Sequence, residues 1–226
     1  YLMRKIILTF LAIFSLFALP VKSVEFSGGV SLSYSMIDTG LSDDVDNNGS
    51  TETTKDISND IGIPSLFLEV GNQVGDMNVS IGLDYIPLDA EFDSRTTSQS
   101  SIKEKGSSTT TGSNKGTADV SNHFTVYVRL GHEVAADTEL YVVAGIASAD
   151  VDVDVQSISS TNKKADKNLE GEKLGVGVKR DLGAGFIKLE YAQVDYDPIS
   201  VITSNNTKVT GDIDTSNITF SVGTSF

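Results

Sequence analysis

The 226-residue chain has no cysteine and no tryptophan, and only four prolines and two histidines. Without cysteine it forms no disulfide, no thiolate metal site and no thiol nucleophile. Basic residues are scarce, since 17 Lys and Arg stand against 31 Asp and Glu, a formal charge of −14. That balance argues against a sequence-independent grip on nucleic acid phosphates. No apolar run is long enough to cross a bilayer as a helix. The longest, Ile6 to Leu19, is broken only by Thr9 and Ser15. At about 1.5 Å per residue it falls well short of a hydrocarbon core of about 30 Å.

That run has a different use. Met3 is a plausible start, Arg4 and Lys5 supply a positive leader, Pro20 ends the apolar stretch, and Val21-Lys22-Ser23 offers a cleavage site. This is the layout of a secretory signal peptide over residues 1–23, leaving 24–226 as one domain. An exported chain without a spanning helix either stays in water or enters an outer membrane as strands.

What the rest of the chain has is alternation, the strand signature. Phe26, Gly28, Val30, Leu32, Tyr34 and Met36 alternate with serines and Gly29. Seven further runs follow, near 66–70, 77–85, 123–130, 139–147, 173–179, 187–192 and 217–226. Short turn-like links at 71–76, 132–138 and 181–185 alternate with long polar loops at about 38–61, 89–121, 150–171 and 195–215. Short turns at one end and long loops at the other predict an all-β, eight-stranded, antiparallel up-and-down barrel that spans the outer membrane.

Alternation does not say which face meets lipid, and a soluble lipocalin-like barrel alternates too. The face opposite the apolar residues decides the matter. It is mostly Ser, Gly, Thr, Asn and Ala, which suits a crowded lumen better than open water. Its charges balance: Glu69, Asp84, Glu139 and Glu190 against Arg129, Lys173, Lys179 and Lys188. Buried ions are tolerable when paired, so this set is expected to line the lumen as structural charges. One stretch departs from the pattern. Val151, Val153 and Val155 run out of phase with Ile146, while Asp150, Asp152 and Asp154 take the other side. Either a bulge near Ala147–Ala149 or the strand's exit from the bilayer accounts for it.

The carboxy terminus, Ile218-x-Phe220-x-Val222-x-Thr224-x-Phe226, ends an alternating strand on an aromatic residue. With the whole-chain pattern, this resembles the small eight-stranded outer-membrane barrels, the OmpA/OmpX-like and opacity-type surface proteins of Gram-negative bacteria. The resemblance implies that Phe226 and Phe220 carry the signal read by the barrel-assembly machinery. It also implies contact with outer-membrane lipid and lipopolysaccharide, and a monomeric barrel is expected. With no tryptophan, the aromatic girdle falls to residues such as Tyr34, Tyr85, Tyr191, Phe124 and Phe220.

Chemistry is thin. Barrels resembling the lipid A deacylases place a Ser two residues after a His, whereas His123 is followed by Phe124 and Thr125. His132 falls in a short turn. No catalytic residues are assigned and a non-enzyme is expected. Asp44-Val45-Asp46-Asn47-Asn48-Gly49 matches the first six positions of a calcium loop, with Glu52 close by, but Lys55 stands where a bidentate Glu belongs. Asp44, Asp46, Asn48 and Glu52 are thus a weak Ca2+ candidate, and no other cofactor is expected. The expected role is structural or surface display, without a general pore. The alternatives are a small-solute or hydrophobic-compound channel, a lipid A-modifying barrel enzyme, and a soluble periplasmic binding barrel.

Overall fold

Alternating residues with few helix formers condense into long strands. The computed structural model describes residues 24–44, 49, 51, 53–103, 109–157, 160–202 and 208–226. The expected signal peptide lies outside them. The strands are β1 (Glu25–Asp44), β2 (Thr53–Val74), β3 (Met77–Tyr85), β4 (Ala90–Lys103), β5 (Thr109–Ala135), β6 (Thr138–Ser157), β7 (Ser160–Asp181), β8 (Phe186–Ile202) and β9 (Lys208–Ser225).

Neighbouring strands pair antiparallel in the order β3-β2-β1-β9-β8-β7-β6-β5, and β3 pairs again with β5. That second pairing closes an eight-stranded ring. β4 is a ninth strand, which pairs with β5 beyond the end of β3 and adds no strand to the ring. The last residue ties the ring's seam, because Phe26 and Phe226 exchange backbone hydrogen bonds of 2.8 and 3.3 Å and their rings stack at 6.4 Å. Tight links use residues that tolerate positive φ: Gly75 (64°) after β2, Asp137 (60°) after β5 and Gly183 (84°) after β7.

The links at the other end differ from expectation. Much of 38–61, 89–121, 150–171 and 195–215 is strand rather than irregular loop. β1 and β2 remain paired as far as Asp43 and Thr53, and β6 and β7 as far as Ser157 and Ser160. Polar composition suits a loop, but it suits a strand equally once a neighbour supplies the ladder hydrogen bonds.

Along the lower part of the wall, apolar side chains point outward and polar ones inward. Leu68 and Leu174 are 61% and 66% exposed, whereas Ser31, Ser65, Ser80 and Ser221 are buried. Tyr34, Ile218 and Tyr191 pair in register, as do Tyr85 and Phe124. These outward residues mark one border of the apolar belt; Phe220 lies one pair further in, opposite Leu32. A soluble barrel with its apolar face inside is overturned for this part of the wall, since that face is exposed.

Beyond the border the polarity inverts. Ala147, Ala149, Val151, Leu169, Val194 and Tyr196 form a buried inner cluster, while Asp150, Asp152 and Asp195 face out. β6 itself does not slip: Tyr141, Val143, Ala147, Ala149 and Val151 stay inside in an unbroken alternation. Of the two explanations, a bulge near Ala147–Ala149 is not found, since β6 pairs with β7 without a shift there, and a register shift lies on the neighbouring strand. The β5–β6 register shifts between Ser121 and Phe124, with Asn122 at φ 52°. What changes along β6 is the chemistry of its two faces, as it should where a strand leaves hydrocarbon for water.

The β2–β3 ladder ends at Leu66 and Tyr85. Continued two residues, its register sets Pro64 against Pro87, and neither can donate a ladder hydrogen bond. Above that point, among the described residues, β2 pairs with β1 alone and β4 with β5 alone, so the wall's ladder is open between them.

Candidate functional site

Glycines on the inner wall make room for a polar interior. Tyr127 is flanked across the ladders by Gly82 and Gly145, and Tyr141 by Gly131 and Gly177. Any side chain at Gly82 would run into the Tyr127 ring, and one at Gly177 into the Tyr141 ring. The two phenols lie over bare backbone and reach into the lumen.

They meet the charges there. Glu69 receives Lys188 Nζ at 2.6 Å on Oε1 and Arg129 Nη2 at 3.2 Å on Oε2, and the Tyr127 hydroxyl donates to Oε1 at 2.7 Å. Arg129 also donates through Nη1 to Glu139, and through Nη2 to Ser80 Oγ at 3.1 Å. Asn78 Nδ2 donates to the other Glu139 oxygen at 2.7 Å. Lys188 sits 3.7 Å above the centre of the Phe67 ring. A second group lies nearby: Lys173 pairs with Glu190 at 2.7 Å, Tyr141 donates to Glu190 at 3.1 Å, and Ser65 donates to Asp84 at 3.1 Å. Lys179 is the least tightly held, 3.9 Å from Asp181 and 4.0 Å from Glu25.

The eight charges singled out in the sequence therefore all face the interior. Tyr127, Tyr141, Asn78 and Ser80 complete the network and were not singled out. Their signal was present, since each lies on the inner phase of its strand and carries a donor. Arg129 Nε and Asn72 Oδ1 are buried without a partner. The arrangement is a cross-braced plug in which each of these carboxylates is already bonded. Low dielectric strengthens every such bond and makes each hard to break.

Other candidates lie apart from the plug. His123 Nε2 is 2.8 Å from the Tyr196 hydroxyl, at the border of the apolar inner cluster. His132 is exposed, with Nδ1 2.9 Å from the Asp76 carbonyl. Asp44 is buried and accepts from the Gly49 amide at 2.8 Å. Asp46, Asn48 and Glu52 fall outside the described residues, among which no group of three or more His, Cys, Asp or Glu is placed to hold a metal. Phe226 is 77% exposed at the short-turn rim.

The outer surface just past the apolar belt is acidic. Glu172, Asp195, Asp214 and Asp38 occupy successive cross-strand positions on β7, β8, β9 and β1, and all four are exposed. Local desolvation, with Asp195 and then Asp212 and Asp38 beside it, holds Asp214 above the ordinary carboxylate range.

Residues 7–226 match the family model described as outer membrane protein beta-barrel domain. No curated protein matches the chain. Among solved structures, the chain is similar to the outer membrane protease OmpT of Escherichia coli, at 7% identity and TM-score 0.54, covering 92% of this chain and 99% of that one. OprG of Pseudomonas aeruginosa gives 16% and 0.46 over 90% and 95%, and Neisserial surface protein A gives 8% and 0.44 over 91% and 100%. Likeness at such identities speaks for the fold alone.

Proposed function

The chain belongs to the outer membrane protein beta-barrel domain family, and we propose that it serves there as a closed, non-catalytic barrel that displays long β-ribbons at the cell surface. One observation carries this reading. The Glu69–Arg129–Glu139–Lys188 network crosses the lumen with every carboxylate engaged, and eight strands enclose an interior only just wide enough for side chains. A diffusion path would have to break several buried ion pairs at once, at a cost of several kcal/mol.

The rest of the molecule supports display. Strands β1, β2, β6, β7, β8 and β9 continue well past the apolar belt, and their outer faces turn acidic there. In barrels of this class the short turns face the periplasm and the long connections the exterior. His123 bonds to Tyr196 rather than to an acid or a serine, which favours a structural use of the ring over catalysis. Planar-bilayer recording of the purified, folded protein tests the reading. We expect no sustained conductance, and steady open channels would replace display with transport.

A further inference from the structure

The wall's opening has a definite chemistry. Among the described residues, β2 is paired from Thr53 to Ile63 on one side only, with β1. Alternate backbone N–H and C=O groups along this stretch point to the side that β3 would occupy were the ladder not stopped at Pro64 and Pro87. Unpaired strand edges are templates for another strand. The geometry points to a β-addition site here: an extended partner segment that alternates basic and apolar residues adds to the free edge of β2.

The charge pattern selects that partner. Asp56 and Asp60 are exposed on the outer face of β2, and Asp38 lies beside them on β1, opposite Ser58. Asp60 and Asp38 each accept from a neutral hydroxyl, Tyr34 at 2.7 Å and Ser58 at 2.5 Å. The Asp214–Asp195–Glu172 row continues the same sign around the barrel, and the chain as a whole is at −14. The opposite phase of the edge is mixed, with Thr53, Lys55 and Asn59 as well as isoleucines, and turns apolar toward its end at Ile61, which is 42% exposed, and Ile63. A strand added at this edge places successive side chains on opposite faces. Its basic residues would meet the aspartates and its apolar residues Ile61 and Ile63. Main-chain bonds supply affinity, and the alternation supplies selectivity and steering.

The inference rests on reading the ribbons as an interaction surface, but its test does not pass through the lumen. Bilayer recording and peptide titration can therefore fail independently. The probe is a synthetic peptide of about ten residues alternating Lys and Val, a typical strand length, titrated into the folded full chain in detergent micelles. Two controls accompany it. One alternates Glu and Val; the other is the Lys-Val peptide N-methylated across its centre, which removes donors from both edges and keeps every side chain. We expect the Lys-Val peptide to bind and to slow amide exchange at alternate residues within 53–63. The N-methylated form should bind about tenfold more weakly or worse, as expected for losing one or two ladder hydrogen bonds. The Glu-Val peptide should not bind, and Asp56→Lys should weaken the Lys-Val peptide. Equal binding of the methylated and unmethylated peptides would reduce the effect to charge attraction and overturn the proposal. So would absence of binding, protection elsewhere in the chain, or a free protein already dimeric with 53–63 protected, which would give the edge to a second copy.

Discussion

Glu69 on β2 and Lys188 on β8 meet at 2.6 Å although three ladders, β2–β1, β1–β9 and β9–β8, separate them around the ring. The contact spans the interior, and Arg129 reaches the other oxygen of the same carboxylate from β5. One acid thus ties together three walls of the barrel.

Replacing that acid tests the plug directly. Glu69→Gln keeps the shape but leaves Lys188 buried without its ionic partner and Arg129 with Glu139 alone. Removing one partner of a buried pair costs about 3–5 kcal/mol. Urea unfolding in micelles should show a loss of that size, and an unchanged midpoint would mean that water already reaches the cluster.

The lipid-facing phase has its own test. Val30 is 57% exposed, between Leu66 and Val222 on the neighbouring strands and midway between Phe26 and Tyr34. Val30→Arg should destabilise the folded barrel by about 2–4 kcal/mol in a bilayer, as for a midplane arginine. Asp195→Arg, beyond the belt and among like charges, should not. Equal losses for the two would place the hydrocarbon boundary elsewhere.

Close approach at the inner wall predicts a steric effect. Gly82→Val puts a branched side chain where the Tyr127 ring lies, and such overpacking costs about 1–3 kcal/mol. Because the two positions touch, the Gly82→Val and Tyr127→Ala double variant should be less unstable than the sum of the singles. Strict additivity in thermal unfolding would show that the ring moves aside freely.

The acidic row outside the membrane makes stability depend on pH in a known direction. The folded-state pKa of Asp214 is raised, so the native chain binds this proton more tightly than the unfolded chain does. Its ionised form therefore costs stability above the raised pKa, and that cost disappears as pH falls below the ordinary Asp value of about 3.9. Asp214→Asn should unfold at a higher temperature than the parent at neutral pH, with the gap closing on acidification. A gap that widens instead would reverse the assigned sign.

Period-two alternation, serine- and glycine-rich inner positions and matched charges were enough to read the ring, its lipid-facing phase and the eight inward ions. Each is a property of one strand, and a strand's two faces are written in its own residues. Three features needed the neighbours. The polar ribbons at 38–61 and 150–171 read as loops because their strand character comes from paired backbones. On β6 the inward side turns apolar at Ala147, Ala149 and Val151 without any break in its alternation, and that is seen only with the neighbours that bury these residues; the register shift lies on β5 at Ser121–Phe124. The opening above Pro64 and Pro87 appears only when the β2–β3 register sets two distant prolines against each other. Side-chain periodicity is local and survives in one dimension. Register and edge exposure are relations between segments, and only folding decides them.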